Sequence, residues 1–202
     1  TDRLDSYNPR FSPDGKWLYF ISDRTFNNSV GSPWGSRQPE PYFEKTAGIY
    51  ALALDSKALF PFIKDNELEN RDEENKEKKE DKDETEALII DFDGLAERLY
   101  EVPGDASDYR NFYVSDSHIF WMHSSPGARG GTIQSLKIGN DQDNKPKTLA
   151  TGISSFALSG DGKKILLRNR SGIFVMESSS SKMDTDKDKL ETNNWAFSID
   201  PV

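Results

Sequence analysis

RFSPDGKWLYFISDR, residues 10–24, is a turn bracketed by two strand-like runs. Within it, Pro13 presets φ for the first central position, Asp14 can hydrogen-bond its own backbone, and Gly15 accepts the left-handed conformation that closes a hairpin loop. After the turn, Trp17, Tyr19 and Ile21 alternate with Leu18, Phe20 and Ser22, so this strand is apolar on one face and nearly so on the other. A strand of that kind needs cover on both sides. Stacked sheets supply it; a single sheet with one wet face does not.

The hairpin recurs. Leu158 to Leu167 keeps the Ser, Asp and Gly of the turn and the apolar run behind it, with Gly160 in the place of Pro13. Phe112 to Met122 is a strand, a contracted turn and a strand, and reads as a third copy. Ser115 and Ser159 are 44 residues apart, within the roughly 40–45 of a four-stranded propeller blade. Ser12 and Ser115 are 103 apart, so the first unit must carry insertions. Gly-led third strands follow at 48–54, 131–138 and 172–177, and fourth strands are expected at about 89–102, 147–150 and 190–199. The fold class is therefore all-β: about three four-stranded antiparallel β-propeller blades of a partial propeller. The whole of 1–202 reads as that one domain. Its blades span about 7–103, 109–151 and 152–200, with insertions in the first at 25–47 and 63–87. No 3.6-residue periodicity marks a long amphipathic helix, and no α/β catalytic domain is visible.

Residues 65–86 hold twelve acids, five bases and one apolar residue, Leu68, and so carry -7 of the formal charge of -9. Such a segment cannot bury enough apolar surface to offset its ordering entropy and is expected to be a solvated loop. The remainder is nearly balanced and has no basic patch for nucleic acid. No apolar run is long enough to span a membrane. The chain begins at Thr1 without a signal peptide, which suits a mature product or a fragment and leaves cytoplasmic and periplasmic locations open. Without cysteine there is no disulfide, thiolate metal site or cysteine nucleophile.

Catalytic chemistry is hard to place. His118 and His123 lie five apart on one expected strand and point to opposite faces, so they cannot share a metal while that strand is regular. There is no G-x-S-x-G elbow, and Gly127 to Gly131 opens a strand instead of a helix, unlike a phosphate loop. Asp184-Thr185-Asp186-Lys187-Asp188 begins like a calcium loop but has Lys189 at the sixth position and Trp195 at the twelfth. Asp141 and Asp143 are sparser still. Asn27-Asn28-Ser29 and Asn169-Arg170-Ser171 fit a glycosylation pattern that short sequences meet by chance. No catalytic residue, metal site or cofactor is expected.

The long insertion from Thr25 to Phe43 mixes aromatics with Pro, Gly and one Arg. Loops beyond about 12–15 residues are often functional, and Trp34, Arg37 and Tyr42 are of the types favoured at binding surfaces. They are the candidate peptide-contacting residues; the plainer alternative is that they fold back over their own blade.

Taken in order, the SPDG hairpin, the PWGSRQPEPYF insertion, GIYALAL, a charged loop and Ile90-Asp91-Phe92-Asp93-Gly94-Leu95-Ala96-Glu97-Arg98 resemble the second propeller of tricorn-type serine proteases. SPDG by itself also occurs in TolB-like, WD40-like and prolyl-oligopeptidase-type propellers, whereas the ordered run is more specific. Trp195 to Pro201 is similar to the exit from that propeller. The resemblance implies six- and seven-bladed propellers ahead of a PDZ-like module and a serine-protease core that trims oligopeptides, the propellers filtering and channelling peptides. It implies as partners a peptide or unfolded-protein substrate, the remaining blades and protease core of the same polypeptide, and further copies of the parent. None of the family's catalytic motifs is present, and three blades cannot close a seven-bladed ring. The chain thus reads as a noncatalytic segment, scaffold and peptide-access gate for hydrolysis elsewhere; a stand-alone TolB-like module that docks a protein is the alternative. Deleting residues 65–86 should shift the Tm by less than about 2 °C in a thermal melt; a large fall would show that the segment is structural.

Overall fold

In the computed structural model, residues 4–25, 47–63, 90–124, 127–140, 144–192 and 194–196 are described, together with the backbone at 28–29 and 42–43. The acidic segment 65–86 lies outside the described residues. In chain order the strands are β1 (Ser6–Phe11), β2 (Trp17–Ser22), β3 (Asn28–Ser29), β4 (Tyr42–Phe43), β5 (Gly48–Ala53), β6 (Leu99–Glu101), β7 (Tyr109–Val114), β8 (His118–His123), β9 (Gly131–Lys137), β10 (Lys147–Ile153), β11 (Ser155–Leu158), β12 (Lys164–Asn169) and β13 (Gly172–Glu177). They pair antiparallel into sheets of order β1-β2-β5-β6, β7-β8-β9-β10 and β11-β12-β13, with β3-β4 a short ladder within the insertion. The all-β expectation holds, and the one helical element among the described residues is a single 3-10 turn, Leu95–Arg98.

The turn between the first two strands is built the same way in the first and third sheets. Ser12 N donates to Trp17 O at 2.8 Å, Gly15 N to Ser12 O at 2.9 Å, Trp17 N to Ser12 Oγ at 2.9 Å and Lys16 N to Asp14 Oδ1 at 3.1 Å. Ser159, Gly162, Lys164, Lys163 and Asp161 reproduce the set at 2.8, 2.9, 2.9 and 3.1 Å. In each, the serine hydroxyl also donates to the aspartate, at 2.5 and 2.6 Å, and the glycine sits at φ 70°, where a Cβ would be strained. The contracted middle copy keeps the serine: Ser115 N donates to His118 O at 2.8 Å and His118 N to Ser115 Oγ at 3.0 Å. Pro13, Asp14 and Gly15 shape the turn, but the hydroxyl is what satisfies the next strand's first N–H.

Two cores lie between the sheets, and β8 feeds both. Ile119 and Trp121 join Trp17, Tyr19, Ile21, Ile49 and Phe112 against the first sheet. Phe120 and Met122 join Ile133, Leu149, Ile165, Leu167 and Phe174 against the third. Period-two alternation thus fills two interfaces with one six-residue strand. It also splits the histidines: His118 lies on the side of Phe120 and His123 on the side of Trp121. His118 Nδ1 is 2.9 Å from Ser117 Oγ, and its ring stacks on Phe120 at 5.7 Å. Burial, reinforced by Lys137 and Lys147, holds its pKa below the usual 6.5.

The sheets are joined along their first strands. Asn8 Nδ2 donates to Arg110 O at 3.2 Å and Arg10 Nε to Phe112 O at 3.3 Å, so β1 and β7 run side by side in one direction. Asn8 has φ 53° at a register shift in β1, a bulge that turns its amide toward β7. The Arg10 guanidinium lies 5.2 Å from the centre of the Tyr113 ring, which meets Phe156 of β11 edge-on at 5.1 Å. The loops between second and third strands of all three sheets therefore emerge at one end, and the serine turns at the other.

Two strand expectations change: the strand expected at 89–102 is only β6, Leu99–Glu101, behind the 3-10 turn, and the other change is at the edge of the third sheet. Of the strand expected at 190–199, residues 190–192 and 194–196 form none; the outer edge is a single bridge, Phe174 to Lys189. Val175 N donates to Asp188 O at 2.8 Å and Leu190 N to Ile173 O at 2.9 Å. The chain is held short there by a closed turn in which Asp188 N donates to Asp184 O at 3.0 Å and Asp184 N to Asp188 Oδ2 at 2.7 Å.

Ser12→Ala and Ser115→Ala should each cost about 1–3 kcal/mol by leaving a buried or half-buried N–H unpaired, and Ser159→Ala, on an exposed turn, about 0.5–1 kcal/mol. Urea titration of the three checks this, and equal losses would refute the ranking. As pH falls below about 7 the unfolded His118 takes up a proton before the folded one does, so its contribution is present above pH 6.5 and lost on acidification. His118→Gln should flatten the fall in Tm between about pH 7 and 5.

Candidate functional site

Trp34 and Arg37 lie outside the described residues, as does the side chain of Tyr42. The backbone of Tyr42 is described: it pairs with Ser29, and Phe43 pairs with Asn28. The described residues thus include part of the insertion's backbone and none of the three expected contact side chains.

The frame from which the insertion springs is well defined. Thr25 Oγ1 lies 3.2 Å from the Tyr50 hydroxyl, where either can donate. A Cβ on Gly48 would fall 2.9 Å from Thr25 Oγ1, so glycine is what lets the two ends approach. Ser107 N donates to Ala47 O at 3.0 Å, tying the returning chain to the link between the first two sheets. The Arg24 guanidinium lies over Phe20 and Tyr50, 5.9 and 5.8 Å from their centres, and those rings stack at 6.2 Å. The insertion therefore leaves from a braced aromatic and cationic platform.

At the same end of the sheets lies a cleft of about 320 Å³ formed by three loops, with Arg129, Thr151, Ser154, Arg170 and Ser171 on its walls. Sequence reasoning missed it. Arg129 was part of a glycine-rich strand opening and Arg170 the middle of a glycosylation pattern, and only the pairing of the sheets brings them together.

Other residues singled out in the sequence have structural roles. Asp184 Oδ1 accepts from Asp186 N at 3.0 Å and Lys187 N at 3.3 Å, and those N–H groups hold its carboxyl below the usual range. Asn169 Oδ1 accepts from Ser171 N at 2.8 Å and Gly172 N at 3.2 Å, closing the β12–β13 turn. Asn27, Asp141 and Asp143 lie outside the described residues. The D-F-D-G-L-x-x-R run is a fastener. Asp91 N donates to Leu54 O at 2.9 Å, Asp93 N to Asp91 Oδ1 at 3.1 Å, and Gly94 turns at φ 65° into the 3-10 turn. Arg98 then returns to Asp91, donating to its carbonyl and meeting Oδ2 at 3.5 Å. Hydrogen bonds from Ser56 first, then Asp93 and Arg98, hold the Asp91 carboxyl below its ordinary pKa. Among the described residues no three His, Asp or Glu side chains gather as a metal site, and no helix is long and apolar enough to cross a membrane.

The comparisons with known proteins agree with this architecture. The family described as the tricorn protease second beta propeller domain matches residues 1–179. A tricorn protease homolog 1 of Streptomyces coelicolor is 26% identical over 180 residues, covering 82% of this chain and 16% of its own. A tricorn protease homolog of Saccharolobus solfataricus is 27% identical over 171 residues, covering 80% and 14%. The crystal structure of the tricorn protease superposes with a TM-score of 0.62 at 19% identity, over 88% of this chain and 16% of that one, a likeness of fold. The chain thus spans about a sixth of the length of these relatives. Its three stacked antiparallel sheets are propeller blades, and the chain belongs to the tricorn protease second β-propeller family.

Proposed function

We propose that this chain is a noncatalytic propeller portion of a tricorn-like serine peptidase, with blades at about 7–103, 109–151 and 152–200, acting as scaffold and peptide-access gate for a catalytic domain outside these residues. The observation that carries the scaffold reading is that each outer sheet face bears an apolar row that is only partly covered among the described residues. On the third sheet, Ala157, Leu166 and Val175 stand in cross-strand register, with Leu166 42% exposed. On the first, Leu18 and Leu52 pair, beside Phe20 and Tyr50, and Leu18, Phe20 and Leu52 are only half-buried. Such faces suit further blades of one ring. Seven blades would close it.

Support for the gate comes from position. The insertion, with Trp34, Arg37 and Tyr42, leaves from the same end of the sheets as the other second-to-third strand loops, anchored by Thr25, Gly48 and Tyr50. A long aromatic and basic loop standing over one mouth of a ring would meet an extended peptide before the chemistry does, and the residue types suit contact with backbone and side chains alike.

In the full-length polypeptide, replacing residues 27–43 by a short Gly-Ser link should change the ratio of kcat/KM for long against short peptides by roughly fivefold or more, while kcat on a minimal substrate stays within about twofold. Equal losses on both would refute the gate. The 202 residues alone should hydrolyse no peptide.

A further inference from the structure

The cleft at the insertion end of the second and third sheets collects positive charge in a chain whose formal charge is -9. Arg129 and Arg170 both line it, and none of the other lining residues is acidic. Neither guanidinium is ion-paired among the described residues; Arg98, Arg110, Lys164 and Lys187 each have a carboxylate within 4.0 Å. The remaining walls are Gly130 and Gly152, the hydroxyl-bearing Thr151, Ser154 and Ser171, and Asn169. Two positive charges beside neutral polar residues, with no acidic residue on the walls, make an environment that favours a bound anion.

The walls are also held in place. Gly130 has φ 99°, and a Cβ there would fall 2.7 Å from the carbonyl carbon of Gly152, itself at φ 70°. The β8–β9 loop therefore lies directly on the β10–β11 corner, an approach only glycine permits. Ser154 N donates to Arg168 O at 2.8 Å, fastening that corner to β12. Asn169 Oδ1 clamps Ser171 N and Gly172 N, setting the turn that carries Arg170. Loops bound to one another at glycines hold the backbones that carry the two arginines, so a ligand has only their side chains to order.

We propose that this cleft is an oxyanion site that takes one carboxylate or phosphate group between Arg129 and Arg170. A planar guanidinium presents parallel N–H groups that match two oxygens of either group, and two of them can grip one anion from both sides. The site is solvent-exposed, so its affinity for a free anion is weak, roughly in the millimolar range. The proposal stands apart from the peptide-gate reading and does not require it.

The test is titration of the ¹⁵N-labelled chain with inorganic phosphate and with acetate at low ionic strength, following the amide signals of Gly130, Gly152 and Ser171. Saturable shifts confined to these loops are expected. Arg129→Gln and Arg170→Gln should each weaken binding about tenfold or more. Arg129→Lys, a charge without the fork, should restore part of the loss, and Arg110→Gln, elsewhere on β7, should change nothing. A pair of short peptides, one ending in a free carboxylate and one amidated, separates the sources: binding lost on amidation assigns a carboxylate, and saturation by phosphate alone assigns a phosphate. Either result supports the site. Shifts that never saturate, that spread over all surface cations, or that persist at full affinity in both glutamine variants would overturn it.

Discussion

The structure depends on a strand that has no wet side. In β8, Ile119 and Trp121 enter one core while Phe120 and Met122 enter the other, and all four are buried. A strand in water would leave one set exposed at a cost of about 1.5–3 kcal/mol for each large side chain. Sandwiching the second sheet between the first and third removes that cost, and the same logic extends to the outer sheets. Sheet after sheet must be added until the apolar faces are covered, and a ring of blades is the closed form of that requirement.

Stacking alone does not set how the sheets are aligned. That falls to the first strands, where Asn8 and Arg10 reach across to carbonyls of β7, and Arg10, Tyr113 and Phe156 make a line of ring contacts from β1 to β11. Serine turns then hold each first strand to its second, with Gly162 pressed against Ser115 of the neighbouring turn. One end of the stack is thereby rigid and regular. The other end carries the second-to-third strand loops, where the lengths differ: a long insertion in the first sheet and compact turns in the others. Binding residues are commonly found on such variable loops because a stiff scaffold supports them, and the base of the insertion and the arginine cleft, though made from different loops, lie at this same end.

Much of the acidic character that dominates the composition lies outside the described residues. The segment carrying it branches from the opposite end, between Leu54 and Asp91, whose backbone groups are hydrogen-bonded to one another. With Arg98 closing on Asp91, the loop is cinched at its base, and Phe60 just inside it packs between Trp17 and Tyr100 of the first core. The D-F-D-G-L-x-x-R run is thus a mechanical clasp at the base of that loop.

The residues alone determined the repeated turn, the two-faced strands and hence the all-β stack, because turn chemistry and period-two patterning are local and each copy states them again. They also nominated the insertion, through its length and its aromatic content. What they could not do was measure closeness. The serine hydroxyls that cap the strands, the clasp between Asp91 and Arg98, and the bridge that replaces a full strand at Lys189 are settled by how the chain returns on itself. Arg129 and Arg170, 41 positions apart, share a cleft only because Gly130 can lie on Gly152 once β9 pairs with β10 and β12 with β13. Pattern within a strand is written in the sequence; proximity between strands is a property of the assembled sheets.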